Sequence, residues 1–235
     1  MKNLTTILGR SGFIGSQIAL RYSETNSFPT EKTEVLYNFG SPVHPPFEEN
    51  PDYHMSEIFS SAMYLHPYCR DNNIFYVYPS SALVYEKDTA FAKTKKITEI
   101  LASCYPNTLG LRIYPVYGPG EDRTVISQWC RMMKNDERPV IYGDGTQERD
   151  FIYIDDAVNQ IISLVDNKVT GVKDVGAGKP VSFNQIVKTI NLILGKNIEP
   201  IYISAPKDYS KGIVCQNPGL CETSLADGIR KVLNE

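Results

Sequence analysis

At 235 residues, with 42% hydrophobic and 22% charged residues, the chain can bury a substantial core as one large domain or two lobes, and its composition excludes disordered and collagen-like classes. A net charge of −3 and a pI near 5.7 give no electrostatic reason to expect nucleic acid, whose affinity rests on clustered cations meeting phosphates. No apolar run approaches the ~18 residues of a membrane span, so a cytoplasmic protein with no membrane partner is expected. The five cysteines (Cys69, Cys104, Cys130, Cys215, Cys221) are odd in number and form no CxxC pair, which predicts reduced thiols.

Leu4 to Leu8 is a short β-prone run, and Gly9-Arg-Ser-Gly12-Phe-Ile-Gly15 leads directly into a helical pattern from Ser16 to Tyr22. Glycines between a strand and a helix allow a tight turn and a close approach of backbone to a pyrophosphate, so this GxxGxxG stretch predicts a dinucleotide site. A ligand-free strand-to-helix connection is the alternative. Arg10 offers a planar fork to a ribose 2′-phosphate, favouring NADP over NAD, and a solvated Arg10 fits the residues nearly as well. A dinucleotide fold normally continues with a second strand ending in Asp or Glu about 20 residues on. Here the next convincing strand is Glu34 to Phe39, and Ser23 to Thr33 is shorter than one parallel crossover. The sheet is therefore expected to lack its usual second and third strands. The adenosine half of the pocket is then depleted, and the first strand is an edge covered by Ser23–Thr33 or by another subunit.

Gly40 to Phe47 is a loop by its Gly and Pro content, and Pro51 suits the start of a helix over Asp52 to Asp71 with Ile58, Ala62 and Leu65 on one face. His44, His54 and His66 have spacings that match no compact metal motif, so no metal is expected. Asn73 to Tyr78 is a strand that delivers Ser80 and Ser81, Ala90 to Glu99 a helix with several lysines, and Asn107 to Ile113 another strand. Strands alternating with helices predict a parallel α/β sheet with its ligand beyond the strands' carboxyl ends. A hydroxyl and an ammonium at one cleft suit hydride and proton chemistry at a sugar carbon. Further on, Asp122 to Asn135 reads as a helix with Val125, Ile126, Trp129, Met132 and Met133 as core. Arg138 to Tyr142 reads as a small β element, Asp155–Val165 and Ser224–Leu233 as helices, and Gly171–Val175 as a return strand. Ser182–Leu194 is a helix in which Ser182 and Gln185 resemble a capping box, and Tyr209 to Leu220 is irregular.

Four segments carry a family resemblance. Gly9-Arg-Ser-Gly-Phe-Ile-Gly15 resembles GxxGFIG, Ser80-Ser-Ala-Leu-Val-Tyr85 resembles SSAxVY, Leu111-Arg-Ile-Tyr-Pro-Val-Tyr-Gly-Pro119 resembles LRxxxVYGP, and Tyr142 to Asp155 resembles YGdGxqxRDfIyVdD. Asp174-Val-Gly-Ala-Gly178 is similar to NvGxG. In this order over most of the chain, they identify a member of the extended short-chain dehydrogenase/reductase group, the nucleotide-sugar epimerase/dehydratase family. The resemblance implies a Rossmann-like, doubly wound α/β fold, here lacking the second and third strands, with a small α+β substrate lobe. The dinucleotide lobe is expected over 1–115 with a return at about 150–175, and the substrate lobe over 116–149 and 176–235.

The resemblance also implies the site. Cofactor contacts fall on Gly9, Arg10, Ser11, Gly12, Phe13, Ile14, Gly15, Phe39, Gly40, Ser80, Lys95, Tyr114 and Val116. Substrate contacts fall on Ser81, which orients the sugar oxygen, Tyr142, and Arg149, which grips the diphosphate or else pairs with Asp150 or Asp155. The family's proton donor is the Tyr of YxxxK. Thr94, Lys95 and Glu99 fix the register and put Phe91 at that position, so the catalytic set is Ser81, Phe91 and Lys95. Ala82 and Leu83 replace the acidic pair of the family's dehydratases, Pro115 replaces an Asn that holds substrate phosphates, and the short Tyr85–Phe91 gap removes a loop around the sugar. The expected protein is an NADP-dependent (or NAD-dependent) epimerase or reductase of a nucleotide-linked sugar that is either impaired in redox chemistry, leaves the proton transfer to Ser81 and water, or is a variant made to trap a complex. The alternative is a catalytically silent dinucleotide-binding module for sensing or assembly. A homodimer is expected, since the family commonly pairs through two long helices, here Pro51–Asp71 and Asp88–Cys104.

Overall fold

The computed structural model describes residues 4–22, 25–40, 47, 49–86, 88–206, 209 and 212–234. The expected loop over Gly40–Phe47, with His44, lies for the most part outside these residues. The chain forms two compact units, one of residues 1–113 and 158–174, the other of 114–157 and 175–235. In chain order the elements are β1 (Leu4–Leu8), α1 (Phe13–Ala19), β2 (Thr25–Asn26), β3 (Thr33–Asn38), α2 (Pro51–Asp71), β4 (Phe75–Ser81), a 3-10 turn (Ala82–Tyr85), α3 (Ala90–Ala102) and β5 (Thr108–Ile113). There follow β6 (Val116–Tyr117), α4 (Val125–Lys134), β7 (Val140–Tyr142), β8 (Glu148–Asp150), β9 (Ile152–Tyr153), α5 (Ile154–Asp166), β10 (Gly171–Val175), β11 (Pro180–Ser182), α6 (Phe183–Leu194), β12 (Ile201–Ile203) and α7 (Leu225–Leu233).

The first unit is built on a six-stranded sheet of order β10-β5-β4-β3-β1-β2. From β2 to β5 each strand runs parallel to its neighbour. Ile7, Leu36, Tyr37, Val77, Leu109 and Leu111 are buried along its centre. The cover expected for β1 comes from within the 23–33 segment, and only the complete loss of the second strand needs correction. Thr25 and Asn26 pair with Thr5 and Thr6, so the second strand survives as two residues. α1 is the crossover to it, and as expected from its length the 23–33 segment holds no strand–helix–strand insert among the described residues. Among the described residues no strand lies beyond β2, and so short an edge leaves little backbone for another chain to pair with.

Helix ends follow their caps. The Asn50 side chain accepts from the Tyr53 N–H ahead of Pro51, Thr89 accepts from Ala92 at the start of α3, and Ser182 accepts from Gln185 at the start of α6. Gly195 ends α6 in the left-handed region at φ 63°. In the second unit Ile126, Met133, Ile141, Ile152, Ile186, Ile190 and Ile229 are fully buried, and Trp129 packs edge-on against Phe183 at 5.3 Å.

His66 of α2 is 1% exposed and enclosed by Tyr76, Tyr78 and Tyr105, at ring distances of 4.8, 5.4 and 5.1 Å. Neither ring nitrogen has a hydrogen-bond partner. Burial therefore lowers its pKa from 6.5 to about 4. The unfolded chain takes up this proton first as pH falls. Stability should be complete above pH ~6.5 and fall by about 3 kcal/mol on the way to pH ~4. Urea midpoints across this window should show the loss, and His66→Phe should remove most of it.

Candidate active site

The Gly9–Gly15 loop joins β1 to α1. Gly9 has φ +77°, and a Cβ there would stand 2.3 Å from the Phe39 carbonyl oxygen; a Cβ at Gly15 would stand 2.2 Å from the Gly9 carbonyl. Glycine is required at both places because backbone meets backbone. The Gly12 N–H donates to Gly9 O (2.9 Å), and the Phe39 N–H donates to Leu8 O (2.9 Å). Five of the expected cofactor residues, Gly9, Gly12, Gly15, Phe39 and Gly40, thus meet at the carboxyl ends of β1 and β3. Arg10 and Ser11 are exposed at the loop's tip, and Phe13 and Ile14 open α1, both partly buried. The cradle fits a group that needs close backbone approach.

The carboxyl end of β4 is held by α3 in successive contacts. Lys95 Nζ donates to Pro79 O (3.1 Å), and the Ser80 hydroxyl donates to Glu99 Oε1 (2.6 Å). The Ser81 hydroxyl accepts from the Leu83 N–H (3.2 Å) and caps the 3-10 turn. Phe91, Lys95 and Glu99 are four residues apart and share one helix face. Phe91 presents a ring, packed edge-on against Phe47 at 5.3 Å, with Lys95 Nζ 5.6 Å from its centroid. The structure therefore brings together Ser80, Ser81, Phe91 and Lys95.

Glu99 ties this end to β5. Its carboxylate receives Nε and Nη2 of Arg112 at 2.8 and 2.7 Å, and its side chain is 4% exposed. Burial alone would raise the Glu99 carboxyl; the Arg112 fork and the Ser80 hydroxyl outweigh it and hold the group below its ordinary value. Arg112 continues to the Tyr85 hydroxyl, which donates to Asp174 at 3.0 Å. Glu99 entered the sequence argument only as a marker of register. Its spacing of four from Lys95 was the available signal, since that spacing puts both side chains over β4.

In the second unit the Arg149 guanidinium lies between the rings of Phe183 (5.6 Å) and Tyr209 (5.5 Å) and donates to Glu148 O (2.7 Å). The buried Asp150 carboxylate accepts from the N–H groups of Ala177, Gly178 and Cys215, and Asp155 is ion-paired with Lys231 at 3.7 Å. Gly212, at φ +107°, passes so close to Glu148 and Arg149 that a Cβ would stand 2.0 Å from Glu148 O. A cleft of about 510 Å³ is lined by Tyr142, Asp144, Gln147, Glu148 and Tyr209 among others, with the Tyr142 and Tyr209 rings 5.6 Å apart. Nothing in the irregular stretch around Tyr209 marked it beforehand. Tyr114 and Val116 are buried in this unit, where the Tyr114 N–H donates to Val175 O (3.0 Å). Among the described residues no helix is long and apolar enough to cross a membrane, and no group of three acidic, His or Cys side chains is placed to hold a metal.

The model of the NAD dependent epimerase/dehydratase family matches residues 22–178. The chain belongs to this family. It is 32% identical over 161 residues to a UDP-glucuronate 4-epimerase of Thermodesulfobacterium geofontis, a match covering 61% of this chain. The chain spans only about half the length of that relative, 49%. Protein CapI of Staphylococcus aureus is 25% identical, covering 97% of this chain and 83% of CapI. The solved UDP-N-acetylglucosamine 4-epimerase of Methanobrevibacter ruminantium superposes with a TM-score of 0.85 at 20% identity, covering 100% of this chain and 99% of that one. A Tyr-to-Phe mutant of UDP-glucuronic acid 4-epimerase from Bacillus cereus, in complex with NAD and UDP-4-deoxy-4-fluoro-glucuronic acid, superposes at 0.83 with 19% identity, covering 98% of each chain. At such identities these structures show that the family shares this fold.

Within this family member, the clamp on β4 makes a direct stability prediction. Glu99→Ala leaves the Arg112 charge and the Ser80 hydroxyl without their shared partner, and should cost about 3 kcal/mol. Ser80→Ala removes one neutral donor and should cost nearer ~1 kcal/mol. Thermal or urea unfolding at pH 7 measures both, and equal small losses would contradict the clamp.

Proposed function

We propose that the chain binds a nicotinamide dinucleotide at the Gly9–Gly15 loop and epimerises or reduces a nucleotide-linked sugar. The observation that carries this reading is the shared face of Lys95 and Glu99 on the carboxyl end of β4, where they bond Pro79 and Ser80 of the same parallel sheet whose β1 end carries a glycine cradle that admits no Cβ. The cofactor, when bound, supplies and removes hydride. Gly9, Gly12 and Gly15 give it backbone approach, Lys95 is a cation for its ribose, and Ser81 orients the sugar oxygen. Arg149, near the Phe183 and Tyr209 rings, is the contact for the substrate's diphosphate, and Tyr142, beside Tyr209, a further substrate contact. The family relatives that act on UDP-sugars support the substrate class. Ala82 and Leu83, in place of an acidic pair, favour epimerisation or keto-reduction over dehydration. NADP is favoured by the exposed Arg10, whose fork suits a 2′-phosphate.

Phe91 favours a second reading, a silent dinucleotide-binding module, because its ring packs against Phe47 and has no proton to give. The Bacillus cereus Tyr-to-Phe protein holds both NAD and a nucleotide sugar, which supports binding without requiring a phenol. The homodimer reading rests on Met63 and Tyr64 of α2 and Ile97 and Ile100 of α3, all more than half exposed on helices that pack against each other. A cytoplasmic setting accords with five free cysteines.

A panel of UDP-, GDP-, ADP- and dTDP-sugars, followed by sugar analysis and NAD(P)H absorbance, tests the reaction. Turnover of any member supports the enzyme, and Phe91→Tyr should be faster by about 100-fold, the scale of one acid–base group. Binding of NADPH without turnover by either chain would leave the module reading instead. Arg10→Ala should weaken NADPH about tenfold and leave NADH unchanged, the ratio expected of one charge-assisted contact. Light scattering should find a dimer that Ile100→Glu converts to a folded monomer; an unchanged mass would remove this helix pair as the interface.

A further inference from the structure

We propose that Lys95 is itself the proton carrier of this site, taking and returning the proton of the sugar hydroxyl that Phe91 cannot handle; the inference rests on the hydride-transfer reading above. Lys95 is 6% exposed; its Nζ donates to the Pro79 carbonyl at 3.1 Å and lies 5.6 Å from the centroid of the Phe91 ring. Neither carries a negative charge. The carboxylate one turn further on, Glu99, is committed to Arg112 and Ser80, and its remaining approach is from Lys96 at 3.4 Å. An ammonium buried without a counter-ion is disfavoured against the neutral amine. Burial accordingly brings Lys95 from 10.5 down to about 8. Just above neutral pH both forms are then populated, the condition for a group that must accept a proton in one direction and return it in the other.

The other titratable groups on the elements packed around α3 are otherwise committed. From α2, His54 packs against Phe47 and Tyr53, and His66 lies in its tyrosine cage. From β4, the Tyr76 hydroxyl receives Asn38, and burial raises both Tyr76 and Tyr78. Tyr85, on the turn, is shared by Asp174 and by Arg112 of β5. The proposed step balances. The hydrogen on the sugar carbon leaves as hydride to the oxidised nicotinamide, the hydroxyl proton passes to the neutral Nζ, and the products are the ketone, the reduced nicotinamide and the Lys95 ammonium. Reduction reverses each transfer.

Two readouts test this. In the chain as it stands, without cofactor, side-chain NMR should find one lysine titrating about two pH units below the rest, which Lys95→Met identifies by its loss. In turnover, Lys95→Arg keeps the cation and cannot release a proton, so it should cost about 100-fold or more while NADH affinity stays within about tenfold. In the Phe91→Tyr background, where a phenol takes the proton, the same substitution should cost less than about tenfold. Should Lys95→Arg fail to fold, the NMR titration decides. The proposal is overturned if Lys95 titrates with the other lysines, if Lys95→Arg costs the same in both backgrounds, or if only the Phe91→Tyr chain turns over. Failure of the hydride-transfer reading is distinguishable: neither chain transforms any nucleotide sugar, and the proposal falls with it.

Discussion

The buried carboxylate of Glu99 is the constraint on which the rest of the site depends. It gathers the Ser80 hydroxyl from β4 and the Arg112 fork from β5 onto α3, so three elements of the first unit share one charge pair. Such a pair adds little net stability over an apolar packing, yet removing one member leaves an uncompensated charge, so its effect is to fix geometry. Because Arg112 takes the carboxylate, Lys95 is left with a carbonyl and a ring. The same arrangement that positions the β4 end thus leaves the neighbouring ammonium without a counter-ion among the described residues.

Backbone contact does comparable work at the glycine loop. β1, the Phe39–Gly40 turn and α1 approach so closely that a methyl group at Gly9 or Gly15 would overlap a carbonyl oxygen. This cradle is retained although the sheet beyond it ends in a two-residue strand. The short strand thus lies at the edge beside β1, while the loop and the β4 end keep their close contacts. In the second unit Asp150 and Asp156 act similarly: each gathers backbone N–H groups from segments distant in sequence, Asp150 from 177–178 and 215, Asp156 from 222–223.

Much of this was legible in the chain because its signals are local. Glycines between a strand and a helix, serines at a strand's end, and Lys95 four residues after Phe91 each imply a neighbour within one element, and those neighbours are present. β2 was not legible, since two residues without a hydrophobic pattern carry no strand signal. The Glu99–Arg112–Tyr85–Asp174 chain was hidden for another reason: it joins residues whose proximity is decided by sheet order, which no periodicity encodes. Tyr209 beside Arg149 lay in a stretch whose Gly and Pro content says only that it is irregular.

Hydrogen exchange of the unaltered chain with and without saturating NADPH or NADH tests the account most directly, because it reads binding and location together. The predicted result is slowed exchange at amides of Gly9–Gly15, Phe39–Gly40 and the start of α3, the backbone that the glycine cradle and the Lys95 clamp bring together. Unchanged exchange at all of these with both dinucleotides in large excess would contradict it.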